Sequence, residues 1–281
     1  LFRSKLNIDN LDYLFIVDNP KIDNVNLNNS IFSTNLNKHI EFDDLYYIGS
    51  PQIIIQKEKK IIEITTSGNL DKVIIANNIL QDWKIILNSD EKSSDYQNES
   101  RFDSNLLTST LTIVDSFLDG VSIVINGGVL EDSLNIIRGN GFIKNISVNN
   151  SYQDAIDFDF SNLLIEEINV NKSGNDCLDL SSGEYFFKNV NLNGCGDKGI
   201  STGENSKVIV EKLFIKDSNI GLVSKDSSEL IVKKGMIQDS EICSSAYRKK
   251  QEFKGGIISY PNYICDGKPE LIQKNSIFKE Q

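Results

Sequence analysis

Acidic residues recur at a spacing of 22 in the middle of this chain. Carboxylates, one amide and one lysine share that spacing in two series: Asp132, Asp154, Asp176 and Lys198, then Asn135, Asp157 and Asp179. If each interval is one turn of a repeating structure, these side chains lie along one stripe. Carboxylates stacked in this way repel, so at least one keeps its proton or a cation lies among them. The stripe therefore indicates acid–base catalysis, metal binding, or turn residues whose carboxylates bond to the local backbone.

Apolar residues follow the same spacing in three series that run in step. These are Leu134, Ile156, Leu178, Ile200 and Leu222; Ile143, Ile165, Phe187, Ile209 and Ile231; and Val148, Val170, Leu192, Phe214 and Met236. Three apolar columns with one period indicate a structural unit stacked on copies of itself. We expect all three columns to form the core. A polar series between them is expected to face outward: Asn145, Glu167, Asn189, Glu211 and Lys233.

Apolar and polar residues alternate within each unit, for example over 142–148. Alternation is the periodicity of a β-strand, and an interval of 22 is too short for a pair of helices. The sequence therefore predicts an all-β fold, a single-stranded right-handed parallel β-helix with 22-residue turns. Each turn should rise by about 4.8 Å.

The repeat is regular in only part of the chain, although we expect one domain over 1–281. Residues 1–105 are strand-rich but irregular and are predicted to form an N-terminal cap and early turns. Within them, 90–105 is almost free of apolar residues and is expected to be an exposed loop. The regular turns should occupy 106–244, and 245–281 should cap the other end.

Composition limits the possible partners. The 281 residues carry 29 basic and 40 acidic side chains, a net charge of −11. This charge opposes binding to nucleic acid or anionic membranes and suits a neutral or cationic glycan, or an anionic glycan bridged by a divalent metal. Only one histidine is present, and no apolar run is long enough for membrane insertion.

No two of the four cysteines have the C-x-x-C spacing that is typical of zinc sites, so the sequence does not favour zinc binding. Cys243 and Cys265 are 22 residues apart and would share a column on neighbouring turns, within bridging range. A disulfide and buried free thiols are the two alternatives.

Four segments, one turn apart, carry motif-like residues: Asp154-Ala155-Ile156-Asp157, Gly174-Asn175-Asp176-Cys177-Leu178, Asp197-Lys198-Gly199-Ile200-Ser201-Thr202-Gly203 and Gly221-Leu222-Val223-Ser224-Lys225. In this order they resemble the signature motifs of the polygalacturonase family, N-T-D-G, G-D-D-C, G-H-G-I-S-I-G and R-I-K. That family belongs to the pectin-lyase-like β-helix superfamily. The matching residues are Asp154, Asp176 and Lys225.

The resemblance implies hydrolysis of a polysaccharide, with Asp154 and Asp176 as the carboxyl pair. Inverting glycoside hydrolysis needs one protonated carboxyl and one carboxylate, about 6.5–9.5 Å apart. Three positions depart from the family: Asn175 replaces the other Asp of the pair, Lys198 the His, and Val223 the Arg.

A lysine among carboxylates also resembles the β-helical polysaccharide lyases. By this resemblance, Lys198 would remove a proton from a uronate, for elimination or epimerisation, while Ca²⁺ held by Asp157 and Asp179 neutralises the sugar carboxylate. Lys198 as an ion-pair partner of its neighbours is the alternative, and no cofactor other than Ca²⁺ is expected. The residues expected to bind substrate are Asn175, Asp197, Lys225 and Glu204.

An outward-facing aromatic side chain would offer a platform for stacking sugars. Tyr185 and Phe186 precede the core residue Phe187, so one of them is expected to be exposed.

These observations favour a polysaccharide-binding or polysaccharide-processing protein. The alternative is a non-catalytic surface, adhesion or structural β-helix domain, with its oligomeric state open and a trimer as one alternative. We expect a secreted, periplasmic or cell-surface bacterial protein. The sequence starts at Leu1 without a Met or a signal-like stretch, so we expect a mature or excised fragment whose signal sequence is not in this chain.

Overall fold

The computed structural model describes residues 36–68, 70–89, 107–262, 264–273 and 275–279, and the predicted loop 90–105 lies outside the described residues. The chain forms a parallel β-solenoid of about eight turns, as the repeat predicts. The strands are β1 (Asn37–Lys38), β2 (Leu45–Ile48), β3 (Gln52–Gln56), β4 (Ile61–Thr66), β5 (Lys72–Ala76), β6 (Ile79–Gln81), β7 (Lys84–Ser89), β8 (Ser109–Val114), β9 (Phe117–Asn126), β10 (Asp132–Ile137), β11 (Asn140–Ser151), β12 (Asp154–Ser173), β13 (Leu178–Gly203), β14 (Lys207–Lys225), β15 (Glu229–Tyr247), β16 (Ile257–Ser259), β17 (Lys268–Ile272) and β18 (Ile277–Lys279).

The two ends differ from the regular turns. At the N-terminal end, β1 pairs with β2, β2 with β5, and β3 with β4, all antiparallel. A 3-10 helix, Lys57–Lys59, joins β3 to β4. At the C-terminal end, β16, β17 and β18 continue the parallel pairing of β15. None of the described residues forms a helix with the length and apolar character needed to span a bilayer.

Each regular turn contributes three strand segments, so the solenoid has three faces. Face 1 contains β5, β8, β10 and the first part of β12, residues 154–159. Face 2 contains β6 and the first parts of β9 and β11. Face 3 contains β4, β7 and the later parts of β9 and β11. The runs β12 to β15 pass through all three faces, because each corner keeps its ladder hydrogen bonds.

The first apolar column forms the centre of the core. Its five members are fully buried: Leu134, Ile156, Leu178, Ile200 and Leu222. They stack in register on successive turns, Leu134 on Ile156 and Ile156 on Leu178. Stacked aliphatic side chains remove their apolar surface from water, which is the main favourable term in folding this solenoid.

The second column departs from strict spacing at its fourth turn. Phe187 pairs with Val210, 23 residues on, and Val210 then pairs with Val232. Val210 and Val232 are fully buried, whereas Ile209 is only half-buried. The prediction that Ile209 and Ile231 belong to the core is therefore wrong, because the corner before them holds one extra residue.

The third column and the polar series slip in the same way. Leu192 pairs with Ile215 and Ile215 with Ile237, so Phe214 and Met236 lie outside the core. In the polar series, Asn189 pairs with Lys212 rather than Glu211, and Lys212 pairs with Lys234.

A compensating shift between Cys195 and Lys198 restores the 22-residue spacing before Ile200. The offset is therefore confined to faces 2 and 3 and leaves face 1 in its predicted register.

Two disulfides fasten the coil. Cys243 is bonded to Cys265, which their spacing allowed, with 6.1 Å between the Cα atoms. Cys177 is bonded to Cys195, with a Cα–Cα distance of 5.3 Å. A separation of 18 residues did not indicate this second bond. It forms because Cys195 stacks on Ser173, just before the corner that leads to Cys177.

Candidate functional site

The acidic stripe lies on face 1, where the register brings its members onto neighbouring turns. Asp132 pairs with Asp154, Asn135 with Asp157, and Asp157 with Asp179. The stripe ends on later turns, where Ile220 and Val223 take the corresponding positions. The charged side chains are thus concentrated on a few successive turns of one face.

Asp154 and Asp176 each hold the backbone of the next turn. Asp154 Oδ1 accepts hydrogen bonds from Asn175 Nδ2 at 2.7 Å and from the Asp176 backbone N–H at 2.8 Å. Asp176 Oδ1 accepts one from the Lys198 backbone N–H at 3.1 Å. Both carboxylates therefore contribute to the structure of the solenoid, as the turn-residue interpretation predicts. Asn175 occupies the position at which the polygalacturonase motif has an aspartate, and here its side-chain amide donates a hydrogen bond to Asp154.

Burial changes the acidity of these groups. The pKa of Asp154 rises to about 6 and that of Asp176 to about 7, because desolvation disfavours the carboxylate and repulsion from Asp179 adds to it. The pKa of Asp157 lies well above its usual range, because the group is buried beside other carboxylates. Near neutral pH, part of the stripe is therefore protonated.

Lys198 is an ion-pair partner within the stripe. Its Nζ contacts Asp176 Oδ1 at 3.1 Å and also Asp197 Oδ2. Burial opposes a positive charge, but these carboxylates outweigh it and raise the pKa of Lys198 above its usual value. A raised pKa keeps the ammonium protonated, which opposes the predicted role as a base in a lyase reaction. Asp197 lies at the edge and accepts a hydrogen bond from Asn219 Nδ2 at 3.2 Å.

Asp154 and Asp176 lie on adjacent turns of face 1, which are about 4.8 Å apart. The hydrogen bond from the Asp176 backbone to Asp154 Oδ1 and the ion pair of Asp176 with Lys198 occupy oxygen atoms that an inverting pair would offer to water and substrate. Inverting glycosidases keep their carboxyl groups about 6.5–9.5 Å apart to leave room for water. The role of these two residues as an inverting pair stays a prediction.

Lys225 and Glu204 lie beside the stripe in separate contacts. The buried Nζ of Lys225 donates to Ser201 Oγ at 2.8 Å and lies 3.6 Å from Asp179 Oδ1. Glu204 accepts from Ser181 Oγ at 2.8 Å and pairs with Lys250 Nζ at 2.6 Å. Burial works against ionisation of Glu204, yet these hydrogen bonds lower its pKa. Both predicted substrate-binding residues are thus already engaged within the protein.

The arrangement does not fit a calcium centre. Asp157 Oδ2 receives a hydrogen bond from Asn135 Nδ2 at 3.3 Å, and Asp179 lies against Lys225. Across the described ranges, no group of three or more Asp, Glu, His or Cys side chains has a geometry that could hold a metal ion. Lys198 and Lys225 supply the positive charge that a cation would bring.

A cleft of about 240 Å³ opens on face 1 beside the stripe. Its polar lining includes Asp157, Asp159, Asp179 and Ser181. This volume is below the range of about 300–1,000 Å³ that is usual for drug-sized ligands, so the cleft suits one small ring or polar group. The sequence analysis missed Asp159 and Ser181, although both follow stripe residues at the two-residue alternation of a strand.

Two exposed aromatic side chains flank the same strand segment. Tyr152 is 41% exposed and precedes Asp154, and Phe160 is 61% exposed and follows Asp159. Phe160 also has a φ of 52°, a left-handed conformation that is uncommon for a bulky residue. The predicted platform was wrong: Tyr185 and Phe186 are both buried.

The side chain of Tyr185 fills the core. Its ring stacks on Phe158 with 5.9 Å between centroids, and its hydroxyl donates to the Phe158 carbonyl at 3.1 Å. The strand alternation therefore points Tyr185 and Phe187 inward together, while Phe186 lies near Lys233, whose Nζ is 6.0 Å from the ring centroid.

Comparison with family models, with curated proteins and with solved structures finds no match to this chain. The fold therefore rests on the register described above, and the likeness of residues 154–225 to polygalacturonase motifs stays a prediction.

Proposed function

We propose that this protein binds a polysaccharide chain across face 1, with neutral or amino-bearing sugars as the preferred class. The observation that carries the proposal is the position of Tyr152 and Phe160. Each exposes a ring at one end of the segment that holds Asp154, Asp157 and Asp159. Sugar rings stack on exposed aromatic faces, and carboxylates accept hydrogen bonds from hydroxyl and ammonium groups.

The acidic stripe also explains why face 1 would prefer neutral or amino-bearing sugars to acidic ones. Its carboxylates outnumber the lysines Lys198, Lys225 and Lys250 that neutralise them. An anionic sugar would be repelled, whereas an amino sugar would be attracted. A pectin-lyase-like ancestry is part of this proposal, supported by the positions of Asp154, Asp176 and Lys225 on one face within four successive turns.

Two disulfides within the described residues favour an oxidising location, so we include secretion or display on the cell surface in the proposal. A glycan-binding solenoid would meet its ligand there.

Replacing Phe160 by Ala tests the binding surface. We expect Phe160→Ala and Tyr152→Ala each to weaken binding to the preferred polysaccharide by about fivefold or more, because a stacked ring contributes about 1 kcal/mol. Isothermal titration against neutral, amino-bearing and acidic polysaccharides measures this. Ile79→Ala is the control, because Ile79 is a comparably exposed apolar residue on face 2 and should leave the affinity unchanged. Equal affinities for all four proteins would contradict the proposal.

Hydrolysis is the second candidate, and the pKa of Asp176 favours it. A carboxyl with a pKa of about 7 is partly protonated at neutral pH, as a general acid requires. Mass spectrometry of the incubated polysaccharides distinguishes the candidates. Polysaccharide fragments that have gained one water per broken bond, and that are absent with Asp176→Asn, would show hydrolysis. An intact polysaccharide that binds with measurable affinity would show binding alone.

A further inference from the structure

A long groove runs along face 3, away from the acidic stripe. Its main part has a volume of about 1130 Å³, and an adjoining cleft of about 340 Å³ shares Asn169, Asn191 and Phe214 with it. One column of outward residues on five successive turns follows the groove: Ser147, Asn169, Asn191, Phe214 and Met236. Four steps of strand spacing give this column a length of about 19 Å. The groove therefore suits an extended chain.

The C-terminal segment forms one wall of the groove. Pro261, Asn262 and Ile264 line it, and Ile264 is 59% exposed. The segment is fixed by the Cys243–Cys265 disulfide and by a hydrogen bond from the Ile237 backbone N–H to the Ile264 carbonyl at 2.9 Å. The wall is thus fastened to the coil.

Positive charge is concentrated in the groove. Lys212 and Lys234 are paired residues on neighbouring turns, and both are exposed. Neither takes part in an ion pair with any described residue, although most other lysines of the late turns do. Two positively charged side chains on paired residues of neighbouring strands repel each other, and an anion between them would relieve that repulsion. Glu167, the acidic residue of the same column, lies two turns away from Lys212.

The remaining lining matches a sugar chain. Phe214 and Met236, which the register slip moves out of the core, give half-buried apolar surfaces for sugar rings. Asn169, Asn189 and Asn191 provide amides of the kind that bond to hydroxyl groups. An acidic peptide would use the lysines but would not need the aromatic surface or the row of amides.

We propose that the face 3 groove binds an acidic polysaccharide chain, with Lys212 and Lys234 contacting its carboxylate or sulfate groups and Phe214 stacking on a sugar ring. This site is distinct from face 1 and differs from it in the charge of its ligand. A protein with both sites would connect two classes of glycan.

Alginate, a polymer of uronic acids, is the probe for this site. We expect the protein to bind alginate at low salt in the presence of a chelator, and the double variant Lys212→Gln/Lys234→Gln to bind at least about tenfold more weakly. Phe214→Ala should also weaken binding. The control is Lys59→Gln/Lys84→Gln, which removes the same charge from exposed positions in the N-terminal turns and should change the affinity less than about twofold.

Four results would overturn the proposal, and the first three concern the groove and its charge. The protein could fail to bind alginate, the control pair could weaken binding as much as the groove pair, or poly-glutamate could bind equally well without any effect of Phe214→Ala. The last result would indicate an acidic polypeptide or general charge attraction. Phe160→Ala separates this site from face 1, because it should leave alginate binding unchanged. Loss of alginate binding in Phe160→Ala would place the ligand on face 1 and refute the groove site.

Discussion

Val210→Asp is expected to destabilise the protein by at least about 4 kcal/mol, whereas Ile209→Asp should cost much less. Val210 is fully buried between Phe187 and Val232, so an aspartate there would lack both water and a partner. Ile209 lies outside the core column and is half-buried, so its replacement can reach solvent. Urea unfolding monitored by circular dichroism measures both changes.

Ile209 and Val210 are adjacent, and the strict 22-residue spacing places the first in the core whereas the observed pairing places the second there. Comparing the two variants therefore tests the register directly. Leu178→Asp is the positive control, because Leu178 is buried under either register and its replacement should be as severe as Val210→Asp. If Ile209→Asp unfolds the protein and Val210→Asp does not, the strict 22-residue spacing is right and the slip is wrong.

Asp154→Asn is expected to stabilise the protein by about 1–3 kcal/mol at pH 8 and to give no gain at pH 4. The folded-state pKa of Asp154 is about 6, against a usual value of 3.8, which corresponds to about 3 kcal/mol. Because the folded pKa is the higher one, the folded state binds the extra proton between these pH values. The folded protein therefore loses stability as pH rises from about 4 to about 6. At pH 8 the Asp154 carboxyl is fully ionised, so the whole cost of burying its charge is present. Asparagine keeps the Oδ1 acceptor that holds Asn175 and Asp176 but carries no charge.

Thermal unfolding from pH 4 to pH 8 measures this difference. Asp217→Asn is the matched control, since Asp217 is an exposed corner residue with a φ of 59°, a conformation that asparagine adopts readily. Its replacement should have little effect at either pH. Destabilisation by Asp154→Asn at pH 8 would contradict the prediction, because it would show that the hydrogen bonds accepted by the ionised carboxylate outweigh the cost of burying its charge.

The acidic stripe could be predicted from the sequence because face 1 keeps its spacing. A carboxylate every 22 residues, in step with Leu134, Ile156 and Leu178, must lie on neighbouring turns once the turn length is known. The contacts within the stripe could not be predicted. They depend on how far a lysine reaches: Lys198 reaches Asp176 on the preceding turn, and Lys225 reaches back to Asp179 two turns earlier.

The exposed aromatics and the face 3 groove also needed the structure. Tyr185, Phe186 and Phe187 are three aromatic residues in a row, so their types do not reveal which of them face the core. Phe160 is exposed because a corner begins there, and corner positions follow from the backbone conformation. The C-terminal segment forms one wall of the groove because it continues face 3 as the next turn, where Cys265 pairs in parallel with Ile237 and is bonded to Cys243.

The sequence by itself determined the repeat, the strand character and the core of face 1, because regular spacing and alternation are local properties of the chain. Tertiary structure decided the register of faces 2 and 3. There Val208-Ile209-Val210 and Leu213-Phe214-Ile215 are apolar at every position, so alternation gives no signal. An extra residue at the corner near Glu204 then selects Val210 and Ile215 for the core and turns Phe214 toward the groove. Only stacking against the neighbouring turn can make that choice, because each turn must align its hydrogen bonds and buried side chains with the one before it.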